Sequence, residues 1–415
     1  MTTQQGNIPI SESGTHDPYR TLNSALSTQY SALRTQHSLL TAEKIRARAK
    51  ELGFVKIGIS RAERLDERNG LDEWLAAGRH GEMLWMGRNA DKRLDPRTLL
   101  SEARSVISLA ANYYTPQSHS EDRRHGKISR YAWGHDYHAV LKERLKSLVE
   151  WIGQNHPEAR GLYYCDTGPV MDKAWAHKSG LGWIGKHSNL ITREAGSWVF
   201  LAEVVLNLDL EPDAESRNYC GTCHRCLDAC PTRAIVAPYV VDARLCISYL
   251  TIELRGPIPR ELRPLIGSRI FGCDDCQDVC PWNRFATPCD EDRFYPADGN
   301  QVPVLTELMR MTQPEFEERF RHSAVRRAKY AGFLRNVAVA LGNSRDASAC
   351  AVLTESLKHA EPVVRAHAAW ALGQIGGECS RRSLAQAVKR ETDVSVLEEI
   401  QAASKICETL ETVPA

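Results

Sequence analysis

The stretch CGTCHRCLDACPT, residues 220–232, sets Cys220, Cys223, Cys226 and Cys230 at the spacing C-x2-C-x2-C-x3-C-P. Three thiolates at two-residue gaps wrap one face of an iron–sulfur cube from a single loop. The fourth, one residue farther on and followed by Pro231, is directed to a neighbouring cube. Thiolate suits this chemistry, because it matches iron and sulfide better than carboxylate or imidazole does. Tetrahedral zinc commonly takes two CxxC pairs and does not require this order. The run therefore predicts two [4Fe–4S] clusters.

A second run, FGCDDCQDVCPWN (271–283), repeats the last three positions with Cys273, Cys276 and Cys280-Pro281, but Ile270 stands where the first cysteine would be. Cys246, in ARLCISYLTIE, is the nearest upstream substitute. Cluster one is therefore assigned to Cys220, Cys223, Cys226 and Cys280, and cluster two to Cys230, Cys246, Cys273 and Cys276. Residues 212–290 read as a bacterial ferredoxin-like two-cluster domain that moves single electrons. Nine of the 13 cysteines fall there, among Pro and Gly and with little periodicity. Such a segment is expected to bury no large apolar core and to be held together by its cofactors. Cys165, Cys289, Cys350, Cys379 and Cys407 are scattered and read as small buried thiols.

The rest of the composition sets bounds. A chain of 415 residues, 42% apolar and 25% charged, is an ordinary globular protein of two or three domains. No uncharged apolar run approaches the ~20 residues needed to span a bilayer. The N-terminus, MTTQQGNIPISESGTHDPYR, has neither the basic nor the apolar part of a signal peptide. A cytoplasmic protein without a disulfide framework is expected. Lys+Arg (53) and Asp+Glu (52) nearly cancel, so any polyanion must meet a local patch. RFRHSAVRRAKYAGFLR (319–335) is such a patch, with six Lys/Arg and no acid.

Before the cysteines, residues 1–40 hold 16 Ser, Thr or Gln and four charges, and read as a polar extension. Residues 41–211 alternate helix and strand. TAEKIRARAKELG is capped by Thr41 and closed by Gly53, and FVKIGIS, SVISLAANYY (105–114), GLYYCDTG (161–168) and SWVFLAEVVLNLDL (197–210) are strands, with a helix over 141–153. This predicts an α/β or α+β domain, with 105–114 central in its sheet. After the cysteines, residues 291–415 read as an α-solenoid of HEAT-like repeats. Ala340-Leu341-Gly342 recurs as Ala371-Leu372-Gly373 at a period of 31, and Pro362 opens a helix.

Three stretches of the first domain carry chemistry: MLWMGRNADKRLDPRTLL (83–100), SRYAWGHDYH (129–138) and YCDTGPVMDKAWAHKSGLGWIGKHSNLI (164–191). The third begins at a strand end with Asp166 and is rich in glycine, which lets a backbone approach a bulky ligand. Neither a dinucleotide fingerprint nor a Walker loop is present. A carboxyl in a desolvated pocket can stay protonated near neutral pH and donate, which suits Asp166. Asp136 either donates likewise or caps the following helix, and His135, His138 and His187 read as structural.

Taken together, DTGP with GLGWIGK, CGTCHRCLDACPT, CISYLTIELRGPIP and FGCDDCQDVCPWN resemble the epoxyqueuosine reductases. These are iron–sulfur and cobalamin enzymes that complete queuosine in tRNA. The resemblance covers about residues 41–376; one departure is LLSEARS (99–105), where a proline is expected after the leucines. It implies a first domain like that of reductive dehalogenases, holding cobalamin with its base off the cobalt. It also implies clusters that pass electrons to cobalt, and repeats that grip the tRNA anticodon stem-loop. Asp166 matches the family's proton donor, and with it Arg88, Ser129, Asn189, Ser248, Asp274 and Asp275 fall in motifs expected to touch the corrin. An external electron donor and a monomeric chain are expected. A reductase of a small molecule, of the dehalogenase kind, is the alternative.

Overall fold

The computed structural model describes residues 41–66, 70–297 and 299–412. The polar extension expected over residues 1–40 lies outside them. Helix α1 (Ala42–Glu51) starts where its cap predicts. The Thr41 hydroxyl accepts from the Lys44 N–H at 3.3 Å, and Gly53, just past the helix end, takes φ 85°.

Strands β1 (Lys56–Arg61), β2 (Ser105–Asn112), β3 (Gly161–Tyr164) and β4 (Val199–Leu206) form one sheet in the order β1-β2-β4-β3. Every neighbouring pair is antiparallel, so the domain is α+β. β2 is central and all of its residues are buried. The two-residue period of a strand divides them between two faces. Ile107, Leu109 and Ala111, with Ala202, Val204 and Leu206 of β4, pack under α1 and α2 (Tyr137–Asn155). Val106 and Val205 face the opposite side, towards Trp175 of α3 (Asp172–Lys178). Along α2 the stripe Val140, Leu141, Leu145, Leu148 and Ile152 is buried. Each such side chain stabilises the layer by roughly 1.5–3 kcal/mol. The same parity places one acid within the sheet: Glu203, paired with Ser108 and Tyr164, shares the α3 side with Val205 and is wholly buried.

The cysteine-rich segment holds only short helices, among them α4 (Arg225–Ala229), α5 (Ile247–Ile252) and α6 (Asp275–Asp278). The expectation is that it buries no large apolar core and is held together by its cofactors. Ile247, Leu250, Ile258, Ile266, Ile270 and Phe271 are buried in one cluster with the helices of the repeats. The segment lends its side chains to a neighbour's core instead of building its own. Phe294 crosses the other way, into the cluster beneath the sheet. The expected division at residue 290 therefore falls inside packed structure.

The repeats comprise α7 (Tyr330–Ser344), α8 (Cys350–Ser356), α9 (Pro362–Ile375), α10 (Gly377–Ala387) and α11 (Val394–Thr412). α7, α9 and α11 stack in sequence, with α8 and α10 packed on them and on each other. The sequence period marks the crossing points. A Cβ on Gly342 would stand 2.6 Å from the Trp370 ring and 2.9 Å from the Ala371 Cα, and one on Gly373 2.8 Å from the Ala403 Cα. Gly342→Val should push α7 off α9 and cost about 1–3 kcal/mol, read as a lower denaturant midpoint. An unchanged midpoint would remove the close approach as the reason for the repeated glycine.

Two readings made from sequence are corrected here. Cys350 and Cys379 are not bystander thiols: a disulfide joins α8 to α10, with Cα atoms 6.4 Å apart. The six-charge stripe is also not one surface. Arg335 is buried, and its guanidinium donates to the carbonyls of Leu250, Leu254 and Gly256. Arg321, Arg326, Arg327 and Lys329 remain exposed. Among the described residues no helix is long and apolar enough to cross a membrane.

Candidate functional site

Beyond the end of β3 the chain turns through Asp166, whose φ of 55° is left-handed, a conformation that Asp tolerates better than most residues. Its backbone N–H donates to the Asp172 carboxyl of α3 at 3.4 Å, and its own Oδ2 accepts from the Tyr137 hydroxyl at 2.7 Å. Tyr137 is pinned by Phe200 of β4, with ring centroids 4.2 Å apart and planes 4° from parallel. His138 stacks on Tyr137 and spans two carboxylates: Nε2 lies 3.8 Å from Asp166 and Nδ1 2.7 Å from Asp136. Asp136 also caps α2 by accepting the His138 N–H.

Two carboxylates around one imidazole decide where the proton sits. Burial works against the imidazolium, but hydrogen bonds to Asp136 and Asp166 outweigh it and hold the His138 pKa up at about 9. Burial alone would raise Asp166. Hydrogen bonds from His138 and Tyr137, with the charges of His138 and Lys173, overcome it and hold the carboxyl below its ordinary range. The expectation that desolvation keeps Asp166 protonated is thereby corrected: near neutral pH the proton of this pair rests on His138.

Asp166 and Lys173 are surrounded by protein, yet both side chains are open to solvent. That combination is that of side chains walling an open cavity. Lys173 donates to Asn189 Oδ1 at 2.9 Å and also feels the thiols of Cys246 and Cys276. Asn189 in turn donates its N–H to His187 Nδ1, which leaves the buried Nε2–H of His187 without a partner among the described residues. Behind Asp166, Glu203 is wholly buried within reach of the Asp172 charge, and neither of its carboxyl oxygens has a hydrogen-bond partner among the described residues. Burial pushes both acids up, Glu203 well above its ordinary value, and the neighbouring Asp172 charge raises Glu203 further.

The structure brings eight thiols together in two groups. Cys226 and Cys280 each feel Cys220 and Cys223, whereas Cys276 feels Cys246 and Cys230, Cys273 feels Cys276, and Cys226 lies between the groups within reach of Cys276. Among the described residues no three His, Cys, Asp or Glu are tight enough to hold one metal ion. A cubane binds each thiolate through a different iron and so holds the sulfurs farther apart than a single ion would.

Family models match three parts of the chain: "Epoxyqueuosine reductase QueG, DUF1730" over residues 93–167, "4Fe-4S double cluster binding domain" over 219–283 and "HEAT repeats" over 319–404. An epoxyqueuosine reductase of Cellulophaga algicola is 50% identical over 297 residues, which is 71% of this chain and 96% of the relative. That of Escherichia coli is 43% identical over 337 residues, 80% of this chain and 89% of the relative. The chain belongs to the epoxyqueuosine reductase family. A solved epoxyqueuosine reductase, crystallised with an epoxyqueuosine-modified tRNA-Tyr stem loop, matches with TM-score 0.81 and 35% identity, over 88% of this chain and 98% of that one. Solved reductive dehalogenases reach a TM-score of only about 0.35, too low to carry the expected kinship of the first domain.

Within this reductase fold the residues expected to touch the corrin separate. Asn189 is tied to Lys173 at the cavity. Ser248 bonds to the Cys246 sulfur from the first turn of α5. Arg88 is exposed at the end of the short helix Trp85–Arg88. Ser129 and Asp274 bind each other at 2.5 Å, and Asp274 also accepts the Arg130 N–H at 2.8 Å, so both are engaged within the protein. Asp275 is held by Arg269 at 2.6 Å. Sequence reading assigned nothing to Tyr137, Lys173, Asp172 or Glu203. Glu203 did carry a signal, as a lone acid inside the apolar run VFLAEVVL.

Proposed function

We infer that this chain reduces epoxyqueuosine in a tRNA anticodon loop to queuosine, with loss of water. The observation that carries it is that Lys173 lies within reach of both Asp166, which is bound to Tyr137 and His138, and the thiols of Cys246 and Cys276. The family supports the same reading. Each epoxide takes up two electrons and two protons. Cys230, Cys246, Cys273 and Cys276 hold the [4Fe–4S] cluster beside the cavity, and Cys220, Cys223, Cys226 and Cys280 hold the outer one.

Cobalamin fits the cavity: Asn189 and Lys173 line it, and the unpartnered His187 Nε2–H lies behind Asn189, a polar margin suited to a ligand rimmed with amides. Asn189 and Lys173 would hold it, with Arg88 and Ser248 as further contacts and Ser129, Asp274 and Asp275 fixing the loops behind. When bound, cobalamin supplies the reducing centre that the side chains lack. Asp166 passes a proton to the departing oxygen and is resupplied by His138, and Tyr137 fixes the carboxyl in place. Arg327 lies close enough to feel the Asp166 charge as well as that of its partner Glu253. The exposed Arg321, Arg326, Arg327 and Lys329 therefore bring a phosphate-binding surface to the cavity mouth. This favours tRNA over a small molecule, and a tRNA substrate agrees with a cytoplasmic enzyme.

Anaerobically reconstituted protein, given cobalamin and a strong reductant, should hold roughly eight irons and convert epoxyqueuosine-tRNA. If the loaded protein leaves the modified tRNA untouched, the reading fails. The pH profile checks the proton path. The His138 pKa is raised, so the proton is present below it and lost as pH rises through about 9. Turnover should fall there, and in His138→Gln that alkaline limb should vanish along with most of the rate.

A further inference from the structure

We propose that the arginine and aromatic face over Tyr219, Trp282 and Phe285 is the docking surface for an acidic one-electron carrier protein. The proposal rests on reading the two thiol groups as an electron path, and it adds where that path begins. Cys246 and Cys276, of the second group, lie within reach of the Lys173 charge at the cavity. The first group is reached from the surface, since Gly221, Thr222, His224 and Arg225 of its loop are exposed. Electrons therefore enter at the first group.

What surrounds that entry has the composition of a protein-binding hot spot. Trp183 packs edge-on against Tyr219 at 5.0 Å and Trp282 at 4.8 Å, beside Cys220 and Cys280. Trp282 continues to Phe285 at 5.9 Å. Tyr219 and Phe285 leave 39% and 44% of their surfaces exposed. The Arg193 guanidinium lies over the Tyr219 ring at 4.3 Å and that of Arg284 over Phe285 at 4.5 Å. Arg225, Arg284 and Cys280 also line a cavity of about 720 Å³. Arg193, Arg225 and Arg284 form no ion pair among the described residues. Of the acids nearby, Asp228 is engaged by His224 and Glu194 by Lys56, and Asp278 lines the same cavity, so three arginines face one carboxyl left free among the described residues. A positive, partly apolar face beside the outermost thiols calls for a partner with a negative rim around its own redox centre.

Stopped-flow bleaching of the iron–sulfur absorbance in the holoenzyme reads this step without tRNA turnover, so a failure here is distinct from a failure of the proposed reaction. The probe is flavodoxin hydroquinone, an acidic flavoprotein, with dithionite as the small reductant for comparison. Reduction by flavodoxin should slow with salt, and tenfold or more in the double variant Arg193→Glu, Arg284→Glu, while reduction by dithionite stays unchanged. Phe285→Ser, which alters no charge, should slow the flavodoxin step alone. Iron content and midpoint potentials equal to wild type exclude lost clusters or shifted driving force as the cause. Salt-independent reduction, or variants as fast as wild type with flavodoxin, would overturn the proposal. So would a loss of tRNA-stem-loop affinity in the same variants, which would make this an RNA face.

Discussion

Asp166→Asn should lower turnover of epoxyqueuosine-tRNA by about 10²- to 10⁴-fold, the range spanned by positioned general acids. The amide still accepts from Tyr137, so the left-handed turn and the cavity wall persist. What disappears is the group that can carry a proton from His138 to the leaving oxygen. Iron content and stem-loop affinity should match wild type, and the loss should fall on kcat and not on KM. A second signature follows from the charge. His138 is held at about 9 by Asp136 and Asp166 together, so removing one carboxylate lowers that pKa. The alkaline limb of whatever activity remains should move to lower pH. An Asp166→Asn enzyme with full turnover would remove Asp166 as donor while leaving the reductase assignment standing.

Glu399→Ala should have the largest effect on stability, about 3–5 kcal/mol, the cost of breaking one side of a buried ion pair. Glu399 of α11 meets Arg263 at 2.9 Å and Arg260 at 3.0 Å, and the side chains of Arg263 and Glu399 are 3% and 7% exposed. Without Glu399, burial opposes the Arg263 charge with only the Ile258 carbonyl and the more distant Glu261 to balance it, and burial already lowers the pKa of Arg263 in the intact pair. Denaturant midpoints should show the loss, and iron retention should fall with them, because residues 258–271 are seated against the same helices. The double replacement Arg263→Met, Glu399→Leu should recover most of the stability, since a buried pair contributes little beyond an apolar one of similar volume. If Glu399→Ala unfolds with the wild type, the pair does not fasten the segment to the repeats.

The cysteine runs, the strand at 105–112, the cap at Thr41 and the repeated Ala-Leu-Gly were legible because each is a local pattern with a local cause. Asp166 stood out through its position after a strand and before a glycine. Its protonation did not. Whether a carboxyl keeps its proton depends on which charges face it, and Tyr137 and His138, 29 and 28 residues earlier, come to it only through the packing of α2 on the sheet. The same limit hid the nearness of Asp172 and Glu203, which the packing of α3 on the sheet creates. It also hid the Cys350–Cys379 bond, made between two helices whose cysteines look incidental along the chain. Arg335 reads as surface charge, yet the carbonyls that claim it lie some 80 positions upstream.

That last side chain decides how the molecule can be taken apart. Arg335, on the first long helix of the repeats, closes the carbonyl end of α5, whose first residue follows Cys246. A shortened protein ending before residue 319 would open three buried carbonyls and strip the apolar cover from Ile258, Ile266 and Phe271. Loss of activity in such a fragment would report collapse of the cysteine-rich segment as much as loss of the proposed RNA contact. The repeats are therefore no detachable accessory, and grafting them onto another reductase would require carrying the α5 end and its carbonyls with them.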